Sequence, residues 1–320
     1  MCDVDLTNFS AIADEHAARL KAIDPLLPAP GDLPEDTDSV LTAEAHGSAG
    51  LGVLSCEKTP ADAPGAQWRA LVEHRLDLRL AGPDPGTALG LLLERWQERL
   101  AESGTARGDW ETAAVVIRPS RDSTGAGELL RHGFAPVRVV AVRPAERHGR
   151  GPRQTPGVAV RAANRGDLAN VVELLLELQH YDAQFGVATV RESTERALTA
   201  EVEEVLATDE PPLWIAEVYG KALGVARVQL PPSSDWAKIY VDQTGRPKIG
   251  YLTSLNVAEQ ARSTGVGTAL AAHAHQVFDT EGVDLALLHH ALANPRSTPF
   301  WYAQGYRPLW TYWYRRPAVR

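Results

Sequence analysis

Apolar residues recur along this chain with two periods, and the alternation between them sets out a series of elements. From Asn8 to Ile23 the positions Ile12, Ala17, Leu20 and Ile23 keep helical spacing, and Asp24-Pro25 stops the run. Leu51–Ser55 and Arg75–Leu80 alternate as strands do, and Gly82-Pro-Asp-Pro-Gly86-Thr-Ala-Leu-Gly90 reads as a loop before a helix over Leu91–Leu100. Thr112–Ile117 is a short buried-type strand, Gly127–His132 a brief helix, and the apolar run after Phe134 a closing strand.

After a polar gap the same kinds of element return. Val158–Arg161 is a strand, and Asp167 can cap a helix whose apolar face uses Leu168, Val171, Leu175 and Leu178. A second helix spans Glu192–Ala207. Leu213–Tyr219 and Ala222–Leu230 form a hairpin joined at Gly220-Lys221, and a long polar loop with Trp236 and Tyr240 follows. Strand Gly250–Val257 leads into a glycine-rich turn and a helix to Thr280, with Gly282 as its stop. Val283–His290 is a buried strand, Ser297–Gln304 a short helix and Tyr306–Arg315 an aromatic-rich last strand.

The two halves share this order and some of its wording: Gly267-Thr-Ala-Leu270 repeats Gly86-Thr-Ala-Leu89, and Gly305-Tyr-Arg-Pro308 parallels Gly133-Phe-Ala-Pro136. Between them, Arg147–Pro156 is rich in Gly, Pro and Arg and has no apolar anchor. The expected organisation is a first module over 1–146, a linker at 147–157 and a second module over 158–320.

Composition narrows the function classes. With 320 residues, 44% hydrophobic and 23% charged, the chain reads as an ordinary globular protein of two domains. No apolar run approaches a membrane span, and acids in MCDVDLTNFS replace the basic start of a secretory signal, so a cytoplasmic location without membrane partners is expected. Cys2 and Cys56 offer neither a disulfide framework nor zinc spacing, and no metal is expected. A net charge of −9 argues against nucleic acid and mildly favours a cationic partner.

The chemistry concentrates in Tyr251–Leu270. A strand runs into Arg262-Ser263-Thr264-Gly265-Val266-Gly267-Thr268 at a helix start, where backbone N–H groups lack internal partners and the macrodipole favours anions. No Lys follows the glycines, which excludes a P-loop, and a third glycine with a ribose-binding acid is missing, which excludes the dinucleotide fingerprint.

The spacing R-x-x-G-x-G after an apolar strand resembles motif A of the GNAT N-acetyltransferase superfamily. Downstream, Asn294-Pro-Arg-Ser297 and Trp301-Tyr302-Ala-Gln-Gly305-Tyr306 resemble its second motif. The resemblance implies an α/β (α+β) chain of tandem GNAT folds, each a mixed, mostly antiparallel sheet flanked by helices with a splayed central strand pair. The Arg-rich, Lys-poor composition is like that of high-GC actinobacterial proteins, among which tandem members are common. Acetyl-CoA, or another acyl-CoA, would lay its diphosphate on Arg262–Thr268 and its pantetheine arm along Leu255, Asn256 and Val257, with Asn294 and Ser297 beside it. A backbone N–H near Ser254 or Leu255 would polarise the thioester.

The family's proton-donating Tyr falls where this chain has Trp301, whose indole cannot act as a general acid near neutral pH, so Tyr302 is the candidate acid. The strand lacks the Glu many members use as a base, leaving His289 and His290, which alternation sends to opposite sheet faces. His180, Tyr181 and Trp301 are candidates for an acceptor wall. In the first module Pro83 and Pro85 remove N–H donors and Asp84 stands where a phosphate would lie, so that module is expected to be degenerate. The implied function is acyl transfer to the amine of a small metabolite. Protein amines, or a non-catalytic acyl-CoA-binding role, are the alternatives. A monomer with a pseudo-dimeric domain pair, or a weak homo-oligomer, is the expected state.

Overall fold

A computed structural model of the chain describes residues 6–34, 36–145, 155–231 and 247–320. Most of the expected linker, at 147–154, and Trp236 and Tyr240 lie outside the described residues. In chain order the elements are α1 (Leu6–Ile23), β1 (Val40–Ala45), β2 (Ser48–Lys58), β3 (Val72–Ala81), α2 (Pro85–Glu102), β4 (Thr112–Pro119), α3 (Ala126–Arg131) and β5 (Ala135–Pro144). They continue with β6 (Val158–Ala162), α4 (Leu168–Ala183), α5 (Thr194–Leu206), β7 (Leu213–Val218), β8 (Lys221–Gln229), β9 (Ile249–Val257), α6 (Val266–Thr280), β10 (Leu285–Ala291), α7 (Ser297–Ala303) and β11 (Arg307–Arg315).

Two compact units emerge, and they are not consecutive halves of the chain. One comprises Met1–Pro60, Ala70–Val139 and Pro308–Arg320; the other comprises Ala61–Arg69 and Val140–Arg307. The expected division at 147–157 differs because of strand pairing. β11 runs antiparallel to β4, from Trp310 opposite Pro119 to Arg315 opposite Ala114, so the last strand completes the first unit's sheet. The second half of β5 belongs to the second unit, where Ala145 N–H donates to Asp284 O. Each unit thus keeps the same plan: a mostly antiparallel sheet with one parallel pair, β3–β4 in the first and β9–β10 in the second, with a helix crossing between the partners.

In the first unit Leu89, Leu92, Leu93 and Trp96 of α2 pack on Leu76 and Leu80 of β3, with Trp96 stacked on Phe134. α2 starts six residues earlier than the apolar pattern suggests. Asp84 caps it and Pro85 occupies its first turn, where a missing N–H costs nothing, so the glycines at 86 and 90 are carried inside the helix. In the second unit two layers sandwich the sheet: α4 and α5 bury Val171, Leu175, Leu198 and Val202 against Ile215 and Val225, while Val266 and Leu270 of α6 pack on Ala216 and Ala226. Among the described residues no helix is long and apolar enough to cross a membrane, and no cluster of His, Cys, Asp or Glu is placed to hold a metal.

Candidate functional site

The centre of the second unit is the place where two parallel strands part. β9 and β10 pair from Ile249–Leu285 to Leu252–Leu288 and no further, although β9 continues to Val257 and β10 to Ala291. The parting has a local cause. On its other side β9 pairs with β8, and that register shifts between Arg227 and Val228, leaving Thr253 as an extra residue. Such a bulge bends and twists its strand, here just where the rungs to β10 stop.

The bulge also exchanges the two faces of β9. Before it, Gly250 faces α6, where a Cβ would strike Phe278; after it, Leu255 and Val257 join the α6 core. The α4 face therefore collects Tyr251 and, past the bulge, Ser254 and Asn256, whose side-chain Nδ2 donates to Leu174 O. Alternation also sorts the backbone. Ala258 N–H donates to Leu223 O, so the main-chain groups of Asn256 point to β8, while those of Leu255 and Val257 point into the gap. Of the three strand residues expected to meet a pantetheine arm, Leu255 and Val257 are oriented with backbone groups toward the gap, the Val257 carbonyl being taken by Arg262 Nε. Asn256 is not: its backbone is committed to β8 and its side chain to α4. By the same alternation Leu255, and not Ser254, aims its N–H at the gap.

Past β9 comes a one-turn helix at Glu259–Ala261, then the glycine turn. Ser263 (φ 64°) and Gly265 (φ 93°) are left-handed, Thr264 Oγ1 donates to Ala261 O, and α6 begins at Val266. Ala269 is the first residue to donate along the helix, to Gly265 O, so the amides of Gly265 to Thr268 lack intrahelical acceptors. No side chain caps this end. The two glycines do different work. A Cβ on Gly265 would be strained and would strike Thr155 Cγ2 at 2.8 Å, whereas on Gly267 it would make ordinary contact with Val257 and Phe300.

Arg262 is tied down. Its guanidinium donates to Val257 O and to Glu177 Oε1 at 2.6 Å and lies 5.0 Å over the Tyr181 ring. Tyr181 also carries Arg296, and Asp182 accepts from Asn294 Nδ2 at 3.3 Å. The end of α4 thus clamps both motif loops. Glu177 and Asp182 escaped the sequence reading, although the i,i+4 relation of Glu177 to Tyr181 was a usable signal. His180, next to Tyr181 on the helix, is exposed and makes no part of this clamp. Asn294 Oδ1 accepts the N–H groups of Arg296 and Ser297 and so caps α7, leaving the Ser297 hydroxyl buried without a partner.

The histidines separate as alternation requires. His289 shares the α4 face with Tyr251, and Tyr251 Oη lies 2.8 Å from His289 Nδ1. The sequence reading missed Tyr251, eleven residues before Arg262, because a Tyr on a buried-type strand reads as packing. His290 sits on the α7 face, 5% exposed, with its Nδ1 3.3 Å from Thr298 Oγ1 and its Nε2 unpartnered. Burial pushes its pKa down, so it is neutral near pH 7. Its ring meets Tyr302 edge-on at 5.7 Å. Tyr302 is 37% exposed with its pKa raised by burial, which keeps the phenol protonated. Trp301 turns inward, 6% exposed, against Phe300 and Tyr306, and does not form the acceptor wall expected of it.

The equivalent helix start in the first unit is closed. The Asp84 carboxylate accepts from Thr87 N–H and from Thr87 Oγ1 at 2.6 Å, and Pro85 has no N–H to give.

Residues 177–306 match the family model described as the acetyltransferase (GNAT) family. Among solved structures the chain is similar to a GCN5-related N-acetyltransferase from Sphaerobacter thermophilus, with 16% identity and TM-score 0.56 over 97% of this chain and 93% of that one. It is also similar to a functionally unknown conserved protein from Staphylococcus epidermidis, with 13% identity and TM-score 0.50 over 93% and 98%. A tandem GNAT protein from the clavulanic acid biosynthesis pathway aligns at 16% identity and TM-score 0.45 over 100% and 98%. At these identities the likeness concerns the fold. No curated protein matches the chain.

Proposed function

We propose that the second unit, whose residues 177–306 match the GNAT acetyltransferase family model, transfers an acyl group, most simply acetyl, from acyl-CoA to the amine of a small metabolite. The observation that carries this reading is the parting of β9 from β10 beside an uncapped α6 N-terminus. Four unpaired amides suit a diphosphate, and the exposed edge at Leu255 and Val257 suits the amides of a pantetheine arm.

Acyl-CoA supplies the activated acyl group; the chain supplies position, polarisation and proton transfer. Leu255 N–H points into the gap, where it can stabilise charge on a thioester oxygen. The hydrogen-bonded Tyr251–His289 pair on the α4 face takes the proton that an ammonium acceptor must lose before its nitrogen attacks. Tyr302, on the opposite face, gives its proton to the departing thiolate. The same sheet position thus faces base on one side and acid on the other, because His289 and His290 are consecutive. The net charge of −9 supports a cationic acceptor.

Thiol release from acetyl-CoA over a broad amine panel tests the reading. An amine turned over by the wild-type chain, at least tenfold more slowly by Tyr251→Phe and His289→Asn and with unchanged CoA affinity, supports it. Tight CoA binding with no turnover on any amine replaces it with a sensor or accessory role.

A further inference from the structure

A second concentration of positive charge lies in the first unit, far along α2 from its closed N-terminus. Gln97, Arg107, Arg131, His132, Arg315 and Arg320 line a cavity of about 490 Å³. That volume is in the range of small-molecule sites. Four arginines on one cavity are unexpected in a chain of net charge −9, since like charges repel unless something compensates.

Among the described residues little does. Arg131 pairs with Glu128. Arg315, 5% exposed, spends its hydrogen bonds on neutral groups: Gln97 Oε1 at 3.2 Å, His132 O at 3.3 Å and Ala318 O at 2.9 Å. Its Nε is buried without a partner, and its guanidinium lies 5.1 Å over Phe134. Arg320 donates to Gly133 O. Burial and the neighbouring Arg320 push Arg315 down to about 10, a sign of uncompensated charge.

The carbonyl end of α3 explains part of this, because a cation at a helix C-terminus is favourable and Arg315 reaches His132 O. It does not explain Arg107, from the loop after α2, or Arg320, beyond β11; both are exposed and neither is needed as a cap. We propose that this cavity is a binding site for a small phosphate-bearing anion, held by the guanidinium groups of Arg107 and Arg320 over the fixed charge of Arg315. Arginine forks match phosphate oxygens two at a time, and a diphosphate or phosphate ester would supply the missing counter-charge. The site is independent of the acyl-CoA reading.

Inorganic pyrophosphate is the probe, titrated by calorimetry into the full chain with CoA already at saturation so that the α6 turn is occupied, and with sodium chloride at equal ionic strength as control. The double substitution Arg107→Ala with Arg320→Ala spares the buried Arg315 and should fold. The wild-type chain is expected to bind pyrophosphate and to unfold at a higher temperature in its presence, and the double variant to bind at least tenfold more weakly. A wild-type chain that takes up no pyrophosphate overturns the proposal, and so does a double variant that binds it equally well. Should CoA itself fail to bind, the acyl-transfer reading fails, while the comparison of the two chains still decides this site.

Discussion

Trp301 and Tyr302 are neighbours on one helical turn, and about 100° of rotation gives them different work. Trp301 is locked into aromatic packing, so Trp301→Ala should cost about 3–5 kcal/mol, read by denaturant unfolding. Tyr302 meets the His290 ring edge-on and is the proposed acid, so Tyr302→Phe should lower kcat about tenfold or more while leaving the KM for acetyl-CoA unchanged. From the residues alone, Trp301 in the family's Tyr position was visible, and so was the one-residue displacement of Tyr302. Their opposite orientations were not, because a helix of seven residues has no apolar stripe long enough to fix its rotation. Tyr251 stayed hidden for a related reason: its meeting with His289 comes from the pairing of β9 with β10, which residue order does not encode locally.

His16 allows a prediction about pH. It is 4% exposed, its Nδ1 accepts from Leu80 N–H, and burial together with Arg118 and Arg79 holds its pKa at about 4. The folded value lies below the unfolded value of 6.5, so the unfolded chain binds the proton more readily. Its contribution is complete above pH 6.5 and is lost as pH falls from there toward 4, by roughly 3 kcal/mol. Urea midpoints should fall steeply across that window in the wild-type chain and more gently in His16→Gln.

At the scale of elements, two related helix starts behave oppositely. α6 opens on left-handed Gly265 with no side-chain cap, and α2 opens on Asp84, which takes up Thr87 N–H itself. The contrast was legible in Pro83, Asp84 and Pro85 of the sequence. The early start of α2 was not, because Gly86 and Gly90 read as loop until the packing of α2 on α3 is known; a Cβ on Gly90 would lie 3.0 Å from Glu128. Asp84→Ala should destabilise by about 1 kcal/mol, the usual value of a cap, and should create no second CoA site because Pro85 remains. Chemical unfolding and CoA titration check both halves of that statement. The clamp on α4 makes a separate prediction. Glu177→Ala frees Arg262 and loosens the turn, so CoA affinity should fall severalfold with little change in melting temperature, because the Glu177–Arg262 pair is only part-buried.

For the whole molecule, the repeat was readable from short matched strings, while the exchange of closing strands was not. β11 reads as the natural end of the second module, and only its pairing with β4 assigns it to the first unit. Nothing in its alternating aromatic pattern distinguishes one neighbouring strand from another. The account of function concerns one unit: the second has an uncapped helix start beside parted strands, and the first has a closed helix start. CoA should therefore bind once per chain. Calorimetric titration of CoA into the wild-type chain and into Gly265→Val measures this most directly. One site per chain, lost in the variant, is the expected result; two sites per chain, or equal affinity in the variant, would contradict the account.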